Sequence, residues 1–297
     1  MLEPPDDVSD DDVLAVVRRH WEPRADAVEH LPVGWGAHHW RVDADGGPLL
    51  FATLDPASPR HTAATLESAY ATAAGLNLDF VWSSLPRTDG GYTVRAGARA
   101  WSVTRWLPGH RPDRSDPDLS GMLARLHGAA SPAGAPVWTS VVDPHLGDRL
   151  RDLLQQHWTG PLGQPARALV ADHLSQVGGW AREHARLLDL ADPATYVVTH
   201  GEPGVHNQWV AGGRTWLLDW ETLLLAPRER DLATLVHEGR DVDHDPAMVR
   251  LFDLEWRLSE IWAFATWLQG PHPGDADDRT ALGGLTEELT RPHFGEH

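Results

Sequence analysis

The sequence contains no cysteine and, although arginine is frequent, no lysine. The first absence excludes disulfides, thiolate nucleophiles and thiolate-held metals. The second excludes Schiff-base chemistry and a phosphate loop of the GxxxxGK type, so every basic charge other than histidine is an arginine. No apolar run approaches the roughly 18 residues that a membrane span requires. No GxSxG segment is present to serve as a hydrolase nucleophile elbow. The acidic opening MLEPPDDVSDDD lacks the basic-then-apolar pattern of a cleavable leader, which predicts a cytoplasmic protein. Positive charge is also short: Lys+Arg total 25 against 43 for Asp+Glu, a formal net charge of −18. Such a surface repels phosphate backbones and anionic lipid, so neither nucleic acid nor a membrane is an expected partner. What remains is 297 residues with 41% hydrophobic content, enough for one large domain or two lobes around a substantial core.

Ser9 followed three residues later by Asp12, ahead of Val13, Leu14, Val16 and Val17, predicts a capped helix over about 10–20. Strand-like runs follow at 33–36, 39–42 and 49–54, with Asp45-Gly46-Gly47 as a hairpin turn between the last two. Alanine-rich residues 62–76 read as a helix ending at Gly75. Further strands are expected at 80–85, 91–94 and 101–106, before the Pro108-Gly109 punctuation. Beyond it the spacing turns helical at 119–127, 146–158, 166–190 and 248–268. Within the last of these, Trp256, Trp262 and Trp267 can be core or a substrate platform, with at least one expected in the core. The boundary is placed at 107/108, dividing a mixed N-terminal lobe (1–107) from a helical C-terminal lobe (108–297).

Two segments carry chemistry. His200-Gly201-Glu202-Pro203-Gly204-Val205-His206-Asn207 follows a short apolar run. Leu217-Leu218-Asp219-Trp220-Glu221 follows a second one, with Pro227-Arg228-Glu229-Arg230-Asp231-Leu232 beyond. An Asn and an Asp supply hard oxygen ligands suited to Mg²⁺. A separate carboxylate nearby can orient a hydroxyl and accept its proton.

These segments resemble the aminoglycoside phosphotransferase and choline-kinase-like superfamily, relatives of the protein kinases. The family's loop of His-Gly-Asp, four residues and Asn is matched by HGEPGVHN. Its metal segment is matched by Leu218-Asp219-Trp220-Glu221, its downstream Asp-Leu-Ala by Asp231-Leu232-Ala233, and its Leu-His by Leu126-His127. The resemblance implies an α+β, two-lobed, protein-kinase-like fold with an antiparallel sheet in the small N-terminal lobe. It implies ATP or GTP with Mg²⁺, a monomer or homodimer, and transfer of phosphate to a hydroxyl of a small molecule. Glu202 would be the base, His200 a scaffold residue beneath the metal loop, and Asn207 and Asp219 the metal ligands. Asp231 would tie that scaffold from the following helix. Gly34 and Gly36, flanking Trp35, would cover the phosphates; Thr53 stands at the position of the ATP-gripping lysine; Glu67 would be the counterpart of its ion-pairing glutamate; Trp106 belongs to the hinge.

The sequence departs from the family at Glu202, one methylene longer than aspartate, and at Thr53. With the lysine lost, His38, His39 and Arg41 are the nearest candidates to meet the phosphates. The acidic balance suits a cationic acceptor such as an amino sugar or aminoglycoside-like antibiotic. The alternative is a pseudokinase that binds nucleotide or ligand without turnover. A protein-serine kinase is disfavoured by the lack of an Ala-Pro-Glu segment after Asp219. His237-Glu238-Gly239-Arg240-Asp241 fails as a zinc helix because position 241 is not histidine.

Overall fold

The computed structural model describes residues 1–34, 36–56 and 62–294; Trp35, the centre of the expected glycine turn, lies outside them. The chain divides into two compact units, Met1–Trp138 with Tyr196–Asp231, and Thr139–Thr195 with Leu232–His297. The 107/108 boundary marks where strand spacing gives way to helical spacing; the compact units are interleaved in sequence, and the segment 196–231 belongs with the N-terminal residues.

In the first unit, helix α1 (Asp10–His20) starts from a reciprocal capping box between Ser9 and Asp12, and buries Val13 and Val17. Strands β1 (Ala25–Leu31), β2 (His38–Ala44) and β3 (Gly47–Asp55) follow. Asp45 and Gly46 both take positive φ, 54° and 86°, the backbone that a tight two-residue hairpin turn demands. Helix α2 (Ala63–Gly75) is capped by Thr62. Strands β4 (Val94–Ala96) and β5 (Arg99–Arg105) complete an antiparallel sheet of order β1-β2-β3-β5-β4. Alternation gives the sheet one apolar face, where Trp40, Val42, Ala52, Leu54 and Val103 pack with Val13 and Val17. The other face carries His39, Thr53 and Ser102, aligned by the pairs His39–Thr53 and Thr53–Ser102.

Two expected strands shift, the described residues of the run at 33–36 form no strand, and one strand is new. The predicted strand at 80–85 forms no ladder; Val81 makes one bridge to Leu217, while the Trp82 and Leu85 amides donate to Leu217 and Val103. The strand expected at 91–94 begins at Val94. β1 is an addition, because ADAVEHL offers few β-branched residues and depends on pairing with β2.

The same unit holds α3 (Leu119–His127) and two short ladders: β6 (Val197–Thr199) with β9 (Leu224–Ala226), and β7 (Gln208–Ala211) with β8 (Arg214–Leu217). The two apolar runs that precede the motifs thus lie in different ladders. Helix α6 spans Glu229–His237, with Asp231 in its first turn.

The second unit is helical: α4 (Leu146–Leu154), α5 (Gly163–Leu188), α7 (Pro246–Gln269) and α8 (Ala276–Thr290). Leu150, Val177, Leu254, Leu258, Ile261 and Leu285 form its centre. α4 meets α5 at glycines: a Cβ on Gly147 would sit 3.0 Å from the Gly178 Cα, so glycine sets that helix spacing. Of the three tryptophans on α7, Trp262 packs at the core margin beneath Arg149, whose guanidinium lies 4.0 Å from the ring centroid. Trp256 and Trp267 donate their indole N–H to Glu288 and Asp278 at 3.1 and 2.7 Å. Among the described residues no helix is long and apolar enough to cross a membrane.

Candidate active site

The HGEPGVHN segment runs from the end of β6 to the start of β7 and is held from below by one buried carboxylate. Asp231 accepts the His200 amide at 3.0 Å, the Gly201 amide at 2.6 Å and His127 Nε2 at 2.9 Å. Burial alone would push its carboxyl up; the His127 hydrogen bond and charge, the His200 field and the backbone amide outweigh this and hold it below the usual range. Gly201 has φ +101°, and a side chain there would run into the Arg230 guanidinium, so this position requires glycine twice over.

His200 is fully buried, and burial lowers its pKa. Its Nδ1 accepts the Glu202 amide at 3.2 Å, which leaves the proton on Nε2, donated to the Leu218 carbonyl at 2.8 Å. One neutral ring therefore links the loop bearing Glu202 to the segment bearing Asp219. Asn207 adds a second link: its Nδ2 donates to the Glu202 carbonyl at 2.9 Å, and its own backbone carbonyl accepts the Leu218 amide at 2.9 Å. Glu202 is thus fixed through both its N–H and its C=O, with its side chain 21% exposed and Oε2 3.8 Å from His206 Nε2.

Asp219 adopts a left-handed conformation, φ 65° and ψ 64°, shortly after β8. Aspartate tolerates this region better than most residues, and a strained site of this kind is maintained by its surroundings. Trp220 supplies them, buried with its indole N–H on the Leu217 carbonyl at 2.9 Å and its ring 4.5 Å from that of His200. With Asn207 Nδ2 engaged, the amide oxygen is the group available as a ligand, beside the Asp219 carboxylate. Both are hard donors that fit Mg²⁺. The electrostatics fit a cation as well: burial, then Asp219, push the Glu221 carboxyl well above its ordinary range. Its Oε2 is buried and has no hydrogen-bond partner among the described residues. Nor do these residues include a group of three or more His, Asp or Glu that forms a ready-made metal cage.

Ahead of β2, Gly34 and Gly36 take φ +73° and +89°, left-handed backbone that favours glycine. Thr53 is buried, with its Oγ1 3.1 Å from His39 Nδ1. Glu67 is not brought to it. Its carboxylate accepts the amides of Tyr92 and Thr93 at 2.8 Å each and the Thr93 hydroxyl at 2.7 Å, anchoring the loop before β4. The α2 residue that reaches β3 is Tyr70, whose hydroxyl donates to Asp55 at 3.0 Å. Burial, then the Asp219 charge, push Asp55 up to about 7. Sequence reasoning missed this pair, although Asp55 lies two residues beyond Thr53 and so on the same strand face. Trp106 donates its amide to the Leu49 carbonyl at 2.9 Å, and its ring lies 6.5 Å from Phe51.

The fold, as distinct from the site residues, recurs in solved structures. Spectinomycin phosphotransferase APH(9)-Ia, in complex with ADP and spectinomycin, superposes with a TM-score of 0.73, covering 95% of each chain at 11% identity. The chain has the fold of the aminoglycoside phosphotransferases and choline kinases. A choline/ethanolamine kinase family protein from Mesorhizobium loti shares the fold at a TM-score of 0.50 and 16% identity over 95% of each chain. Aminoglycoside phosphotransferase APH(4)-Ia, as a thermostable mutant, shares it at 0.51 and 12%, covering 89% of this chain and 94% of that one. The α+β class inferred from the sequence is the class of this fold. No family model matches the chain. In sequence, Protein StrN of Streptomyces griseus is 31% identical over 194 residues, 59% of this chain and 58% of its own length.

Proposed function

We propose that the chain is an ATP-dependent O-phosphotransferase that phosphorylates a hydroxyl of a small cationic molecule, an amino sugar or aminocyclitol. The observation that carries this reading is the hydrogen-bonded frame in which Asn207 and His200 each link Glu202 to the segment ending in Asp219. A base and two metal ligands linked through shared backbone bonds keep their relative geometry, which is what in-line phosphoryl transfer demands. Glu202 orients the acceptor hydroxyl and takes its proton as the oxygen bonds to the γ-phosphorus; the bond to the bridging oxygen breaks and ADP leaves. Asn207 and Asp219 would hold Mg²⁺, which when bound neutralises charge on the phosphates. His200 acts as a positioning residue, its neutral ring fixing the Glu202 amide, and Asp231 holds the loop beneath it.

The substrate class is supported by the net charge of −18, which concentrates cations, and by the spectinomycin bound in the structural neighbour. The test is ADP release with Mg²⁺ and ATP or GTP across a panel of aminocyclitols, aminoglycosides and choline. The expected result is acceptor-dependent release with a phosphorylated product. Nucleotide binding with no release on any acceptor would replace this reading with the pseudokinase one.

A further inference from the structure

The missing lysine raises the question of which group meets the nucleotide phosphates, and the three sequence candidates are separated by the strand register. Arg41 is neutralised by two carboxylates, Glu29 and Asp43, each at 2.9 Å. His38 lies two residues from Trp40 and so on the α1 side of β2, its ring against those of His30 and Trp40 at 6.1 and 6.2 Å. His39 alone of the three is the direct partner of Thr53 across the β2–β3 ladder.

Three contacts define the place of His39. Its Nδ1 lies 3.1 Å from Thr53 Oγ1, at the position the family gives to lysine. Its ring stacks on Phe51, with centroids 4.9 Å apart and planes at 30°. Its Nε2 faces the glycine turn so closely that a Cβ at Gly34 would sit 3.0 Å away. The field of Asp219, one of the proposed metal ligands, also reaches the ring. One imidazole therefore packs against Thr53 through one ring nitrogen and against Gly34 through the other, within the field of Asp219.

We propose that His39 is the phosphate-binding residue of this chain, with its Nε2–H donating to a phosphate oxygen of the magnesium nucleotide. This rests on the phosphotransferase reading above. The Thr53 hydroxyl donates to Nδ1, which places the proton on Nε2 and aims it at the turn; Phe51 fixes the plane of the ring. Thr53 then acts as a positioning residue, and its departure from lysine and the presence of His39 are two halves of one exchange. Burial holds the ring down to about 4, so near neutral pH it serves as a neutral directional donor instead of a fixed charge.

Calorimetric titration with ATP, ADP and adenosine, each with Mg²⁺, tests the assignment on wild type, His39→Phe, His39→Gln and Thr53→Val. Phenylalanine keeps the stacking and removes the donor; glutamine restores an N–H donor of similar reach. A hydrogen bond to a charged oxygen predicts that His39→Phe weakens ATP and ADP by at least about 10-fold, leaves adenosine within about twofold, and that His39→Gln recovers most of the loss. Thr53→Val should weaken ATP about threefold with adenosine unchanged, and it carries the test if His39→Phe fails to fold. ATP binding by folded His39→Phe within about twofold of wild type overturns the assignment, as does an equal loss for adenosine, which would mark a packing role. Wild type that binds none of the three overturns the phosphotransferase reading itself.

Discussion

Two buried aspartates in the first unit have opposite fates. Asp231, beneath the HGEPGVHN loop, receives two backbone amides and His127, and its carboxyl is held below the usual range. Asp55, on the sheet face, receives the Tyr70 hydroxyl, faces the field of Asp219, and is pushed up to about 7. The first is a completed structural joint whose charge is answered from within the chain. The second belongs to a region whose negative charge has no lysine to answer it, which is the condition expected where a ligand brings its own cation.

Variants on the two sides should therefore fail differently. The largest effect is expected at Asp219→Asn, which keeps the tolerated left-handed backbone and removes a hard ligand. Turnover should fall by at least about 1,000-fold with an unchanged circular dichroism spectrum. Retained turnover would remove Asp219 from the metal site. Next, Asp231→Asn should cost about 3 kcal/mol of stability in urea titration, because a buried carboxylate that serves three donors cannot be replaced by an amide without opposing at least one of them. A loss under about 1 kcal/mol would mean that the loop holds its shape without this joint. Glu202→Gln should lower turnover about 100-fold while nucleotide affinity stays within about twofold, separating the base from the binding groups.

Asp55→Asn should act in the opposite direction. The ordinary aspartate value of 3.8 becomes about 7 in the folded chain, so between these values the native state binds a proton that the unfolded state has released. Wild-type stability should then fall as pH rises from about 4 to 7, while the neutral asparagine is spared that loss. Without metal, Asp55→Asn is expected to be the more stable protein at pH 8 by about 4 kcal/mol, the gap closing towards about pH 4. Melting curves at both pH values check it, and a gap that does not change with pH refutes it. The smallest effect is expected for Thr53→Lys in a Glu67→Gln background. Because Glu67 is engaged by Tyr92 and Thr93, removing its charge should shift the nucleotide affinity of the Thr53→Lys protein by less than about twofold. A larger shift would show that Glu67 can turn towards β3.

The legible parts of the molecule are those determined locally. HGEPGVHN and LLDWE announce themselves because the proposed ligands, the proposed base and the glycine with φ +101° are packed into two short segments. The Ser9–Asp12 box sets the start of α1, and α3 matches the expected 119–127 span. The obscure parts depend on partners remote in sequence. Helix α8 carries an interior Gly283-Gly284 pair and owes its place to packing on α7, where a Cβ on Gly284 would collide with Phe264. Assigning the ion-pairing glutamate to Glu67 followed from helix order, whereas Tyr70 reaches β3 one turn later. His39 was within reach: counting alternate residues back from Trp40 and Val42 puts it on the face away from the core, but only the register with Thr53 selects it over Arg41.

The proposed nucleotide site, built without an ε-amine, also changes how the protein can be detected. Reagents that carry an acyl group on an ATP analogue mark kinases by leaving a stable amide on the lysine beside the phosphates, and this sequence offers no such amine. An acyl group delivered instead to the imidazole of His39 would sit on a good leaving group and be lost to water. A chemical survey that relies on such labels would pass over this chain whether or not it turns over substrate.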